Sequence, residues 1–110
     1  MPLNHESPEL AGAVFEIQRL KKEITAAETQ LAGCLKSLAS EEEMLKSTLA
    51  KPETPKNKEY LKAAKVACTA GIKAWSLSIA AYQNDIDTYK SEINAILERI
   101  PEARLVNKGE

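Results

Sequence analysis

Isoleucine and leucine recur every seven residues in two long stretches of this chain. The first ladder is Leu10, Ile17, Ile24, Leu31, Leu38 and Leu45; the second is Ile72, Ile79, Ile86, Ile93 and Ile100. An apolar repeat with a mean spacing of about 3.5 residues keeps one stripe of a helix turned toward a partner helix. Between the ladders lies Lys51-Pro52-Glu53-Thr54-Pro55. No helix crosses it intact, because proline removes a donor and pushes the residue before it out of the helical region. The pattern predicts an all-α fold: two long antiparallel helices forming a coiled-coil hairpin, with dimerisation into a four-helix bundle as a further step.

Stop and start signals set the bounds. Ser7-Pro8-Glu9 supplies a capping hydroxyl, a proline preset for the first turn and a carboxylate at the positive end of the helix dipole. Thr54-Pro55 repeats the motif, with Asn57 as a competing cap. The expected organisation is a disordered N-terminus at 1–6, a helix over 7–50, a loop at 51–56, a helix over 57–99 and a tail at 101–110 that frays beyond Val106. Each helix then runs to roughly 65 Å at about 1.5 Å per residue.

A register follows if Leu10 and Ile72 both take heptad position a and the turn is centred on the prolines. Leu10 then meets Ile96, Ala13 meets Ile93, Ile17 meets Tyr89 and Leu20 meets Ile86. Farther along, Leu31 meets Trp75, Cys34 meets Ile72, Leu38 meets Cys68 and Leu45 meets Leu61. Small residues oppose large ones, as constant core volume requires. The charged residue in each seam, Glu41 and Lys65, falls opposite the other. A shift by one heptad would set Glu41 against Ile72 and strand Lys65, at an expected cost of several kcal/mol.

Helix two also carries a second, quieter stripe: Tyr60, Ala64, Ala67, Gly71, Ala74, Ser78 and Ala81, nearly all small. Small residues at this spacing admit another helix, and a glycine in mid-helix calls for a packing reason. On helix one, Ala32, Gly33, Leu35 and Ala39 fall at the height of Gly71 in this register. The stripe is expected to be an association surface, for a homodimer or for a partner's helix, rather than alanine chosen for helix propensity alone. Phe15 sits off the seam as well. It is either covered by Leu105 and Val106 of the tail or is an exposed anchor for a partner.

Composition narrows the chemistry. The formal net charge is −1, so no global field directs the chain to nucleic acid or anionic lipid. No apolar run reaches the roughly 18 residues of a membrane span, and no secretory signal is visible at Met1-Pro2-Leu3-Asn4, which points to the cytoplasm. His5 is the single histidine and precedes helix one, leaving no Cys-His or Ser-His pair. Cys34 and Cys68 read as small core hydrophobes, and a disulfide between them would be strained. No metal, cofactor or catalytic residue is expected. Glu41-Glu42-Glu43 and Asp85-x-Asp87 read as solvated helix faces.

The charge is uneven all the same. From Lys46 to Lys73, seven lysines stand against two glutamates, whereas Glu6, Glu9, Glu16, Glu92, Glu98 and Glu102 gather at the other end. Lys46, Lys51, Lys56, Lys58 and Lys62 make a basic tip. The expected function is non-enzymatic: a helical hairpin that binds a larger protein by occlusion or bridging, as an inhibitor, adaptor, chaperone or assembly factor, and that forms a homodimer. The alternative is a nucleic-acid-binding hairpin using the lysine tip. That alternative lacks arginine clusters and has only Tyr60 for base stacking.

Overall fold

The computed structural model of the chain describes residues 7–107, and the side chains of residues 7–104. The N-terminal segment with His5, and the side chains of Leu105 and Val106, lie outside the described residues. Three helices follow one another among the described residues: α1 (Pro8–Ala50), α2 (Lys58–Arg99) and α3 (Glu102–Asn107). α1 and α2 pack against each other as an all-α hairpin, with no strand among the described residues.

The ends of the helices are explained by local chemistry. The Ser7 carbonyl accepts the Ala11 amide at 2.9 Å, and a tightened last turn, Lys51 amide to Thr48 carbonyl at 3.2 Å, closes α1 before Pro52. At the start of α2, Thr54 and Asn57 act together rather than in competition. The Thr54 amide donates to Asn57 Oδ1 at 2.7 Å, while the Asn57 amide donates to Thr54 Oγ1 at 3.3 Å. This is the reciprocal arrangement of a capping box. Asn57 Nδ2 also donates to the Pro52 carbonyl at 3.1 Å, tying the loop to the cap.

α3 occupies part of the segment expected to be a tail. Pro101 stops α2 but has the φ a new first turn requires. The amides of Ala103 and Arg104 donate to the carbonyls of Ile100 and Pro101, both at 3.1 Å. Ala103 is 0% exposed, and burial of this face is what holds so short a helix.

The chain divides into two compact units, unit 1 (residues 1–28 and 84–110) and unit 2 (residues 29–83). Every ladder residue in both is buried or half-buried, as are Trp75, Tyr82 and Tyr89. Unit 1 has the thicker core. Leu10, Ala13, Ile17, Leu20, Ile96 and Ala103 form one buried cluster, with Val14, Tyr89, Ile93, Leu97 and Ile100 packed against it. Ile17 and Leu20 are the largest of the fully buried side chains, and each such side chain stabilises the fold by about 1.5–3 kcal/mol. In unit 2 the buried residues are only Cys34 and Cys68.

The expected register is corrected by about one heptad. In unit 2 a Cβ built on Gly71 would stand 2.8 Å from Cδ of Glu41, so the Glu41 carboxyl lies across Gly71. Lys65, its expected partner, is exposed. The burial cost set against this arrangement does not apply, because Glu41 is only half-buried and Gly71 leaves room for its carboxylate at the edge of the seam. The same displacement accounts for unit 1, where Leu10 and Ala13 share their cluster with Ile100 and Ala103. The expected register would leave Ile100 facing no residue of α1. Arg19, raised above its ordinary value chiefly by its hydrogen bond to Glu16, also feels the charge of Glu92 on α2.

Candidate functional surfaces

The small-residue stripe is split by its heptad positions. Ala64, Gly71 and Ser78 turn toward the seam and are half-buried, whereas Tyr60, Ala67, Ala74 and Ala81 are exposed. Gly71 has no positive φ, so its reason is space, and Glu41 of the same chain occupies that space. Gly71 therefore does not offer an opening to another helix. What is exposed on α2 instead is a stripe one step farther round: Val66, Ala70, Ala74, Leu77 and Ala81.

Val66 and Leu77 are each 64% exposed, and eleven residues bring a helix almost back to the same direction after three turns. The stripe expected from spacing omits both, although each is an apolar residue off the ladder and so visible in the sequence. Leu35, Met44, Leu49 and Tyr60 are exposed too. Six of the seven large exposed apolar side chains among the described residues thus belong to unit 2. The seventh, Phe15, belongs to unit 1 and is 69% exposed.

The lysines divide as well. A hollow of about 290 Å³ in unit 2 is lined by Thr48 and Leu49 from the end of α1, Lys51 and Glu53 from the loop, and Lys58, Leu61, Lys62 and Lys65 from the start of α2. Lys46 and Lys56 are exposed but do not line it. Lys65 does, because Glu41 does not hold it in the seam. Lys51 places its ammonium 5.9 Å from the centre of the Tyr60 ring, within reach of a weak cation–π attraction. A second depression, lined by Gln18, Lys21, Lys22 and Thr25, is formed by α1 alone.

The remaining polar chemistry is that of a surface. Arg19 Nε donates to both Glu16 carboxylate oxygens at 3.0 and 3.1 Å, and Nη2 donates to Oε1. This hydrogen bonding holds Glu16 below the usual carboxylate range. Both groups are well exposed, as in surface pairs that contribute little to stability. Cys34 and Cys68 are free and buried. With the observed register they fall about 16 Å apart along the hairpin axis rather than in neighbouring layers. Among the described residues, no group of three His, Cys, Asp or Glu side chains gathers to hold a metal ion, and no helix is long and apolar enough to cross a membrane. No protein-family model matches the chain, and no characterised protein or solved structure is detectably similar to it.

Proposed function

We propose that the chain is a non-enzymatic, protein-binding helical hairpin that works by occluding or bridging a larger protein, in inhibition or assembly, and that unit 2 carries the contact surface. The observation behind this reading is the imbalance between the units. Among the described residues, unit 2 has two buried residues and six of the seven large exposed apolar side chains. A seam that stays half-buried gains burial when a further helical layer covers its outer face. Val66 and Leu77 are the anchors of that face, with alanines between them that let a helix approach. Self-association into a four-helix bundle uses the same face. Two buried free thiols suit a reducing compartment, and we place the work in the cytoplasm.

A photo-crosslinking side chain at position 77, introduced in the cell of origin, tests the assignment against the same group at exposed Glu23 of unit 1. The expected result is a discrete protein adduct from position 77, none from position 23, and its loss in Val66→Glu. An adduct of two copies alone replaces the larger partner by the homodimer. Equal adducts from both positions, or none from 77, overturn the surface. Substitution of Gly71 does not serve here, because that residue faces Glu41.

A further inference from the structure

The geometry points to the hollow at the loop end of unit 2 as a binding site for a phosphate chain, independent of the apolar face that carries the proposed protein contact. Three separate segments converge on it: the last turn of α1, the loop, and the first two turns of α2. Four lysines, Lys51, Lys58, Lys62 and Lys65, are among the residues that line one volume, against the single acidic residue Glu53. None of the four has an ion-pair partner among the described residues. Like charges held around one hollow repel each other, and a multiply charged anion placed among them converts that repulsion into attraction.

The lining also selects the class of anion. Lys58, Lys62 and Lys65 follow the i, i+4, i+7 spacing, so one helix face presents three cations over roughly 10 Å, with Lys51 coming from the loop. Lysine is a flexible point charge with three donors and imposes no planar geometry. That suits the tetrahedral oxygens of successive phosphates better than a single carboxylate. Thr48 spends its hydroxyl proton on the Met44 carbonyl at 2.9 Å, so recognition falls to the ammonium groups. The hollow, at about 290 Å³, lies at the lower limit of small-molecule sites. It holds a short phosphate chain and not a duplex. No aromatic ring lines it, and Tyr60 is engaged by Lys51. A nucleoside attached to the chain would therefore gain no stacking.

Titration of the full chain with inorganic tripolyphosphate, adenosine triphosphate, orthophosphate and a short single-stranded oligonucleotide, at about 50 mM salt, decides the matter. Amide chemical shifts provide the residue-level readout. Tripolyphosphate and adenosine triphosphate should bind with affinities within about threefold of each other, because the base adds nothing, and at least about tenfold above orthophosphate. The shifts should be confined to residues 48–65. The double variant Lys58→Gln/Lys62→Gln should weaken binding by about tenfold or more with helicity unchanged, whereas Lys21→Gln/Lys22→Gln should leave it alone. Adenosine triphosphate binding far above tripolyphosphate would show recognition of the nucleoside and overturn the assignment to the phosphate chain. Tighter binding of the oligonucleotide would replace the site by a nucleic-acid surface. Equal losses from both double variants, or no binding at about 1 mM ligand, would leave only unspecific attraction and sink the proposal.

Discussion

One methyl group added at position 71 probes the contact that fixes the register of unit 2. In Gly71→Ala the new Cβ would stand 2.8 Å from Cδ of Glu41 and 2.9 and 3.0 Å from its oxygens, where ordinary contact begins at 3.4 Å. The carboxylate must retreat by about 0.6 Å, and being the end of a flexible side chain it can swing toward solvent at the cost of its packing. Against that stands the helix propensity of alanine over glycine, worth about 1 kcal/mol in mid-helix. The two effects nearly cancel, so Gly71→Ala alone should change stability by less than about 0.5 kcal/mol. In a Glu41→Ala background the obstruction is gone, and the same substitution should stabilise by about 1 kcal/mol, a rise of about 4–8 °C in melting temperature for a domain of this size.

Urea unfolding followed by far-UV circular dichroism on the four proteins of the cycle measures the coupling, expected at about 0.5–1 kcal/mol. If Gly71→Ala has the same effect in both backgrounds within about 0.3 kcal/mol, Glu41 does not lie over Gly71. A companion cycle between Glu41→Ala and Lys65→Ala separates the two registers. It should be additive, since Lys65 is exposed at the hollow. A coupling above about 0.5 kcal/mol would restore the Glu41–Lys65 pair expected from charge complementarity.

Two further predictions concern the ends of the helices. Asn57→Ala removes the acceptor of the Thr54 amide and the link to the Pro52 carbonyl, and should destabilise by about 1–2 kcal/mol, more than Thr54→Ala. Equal or smaller losses in denaturant unfolding would mean that the reciprocal cap is not formed. Ala103→Asp places a charge at a site that is 0% exposed. It should undock α3, speeding amide exchange at residues 102–104 by about tenfold or more while the amides of unit 2 keep their protection; unchanged exchange at those residues would show that α3 does not depend on this burial.

The division between what the chain spells out locally and what it does not runs through the same residues. Ladder positions such as Ile17 and Ile86 are legible because a 3.5-residue period is a property of each helix alone. Register is not, because sliding a heptad repeat by seven residues returns nearly the same alternation of large and small. What distinguishes the two alignments lies at the ends, where Ile100 and Ala103 join the cluster of Leu10 and Ala13, and at one glycine. Charge complementarity between Glu41 and Lys65 was a poor guide, since both can reach solvent from the edge of so thin a seam. The consequence for the candidate surfaces is larger than the shift itself. Once Glu41 rests on Gly71, the small-residue stripe loses its opening and the exposed apolar face moves round to Val66 and Leu77. Lys65, released from the seam, becomes the fourth cation of the hollow beside Lys51, Lys58 and Lys62. A single contact thereby closes one expected interface and completes a different site. The Glu41–Gly71 cycle consequently bears on the phosphate hollow as well as on the fold.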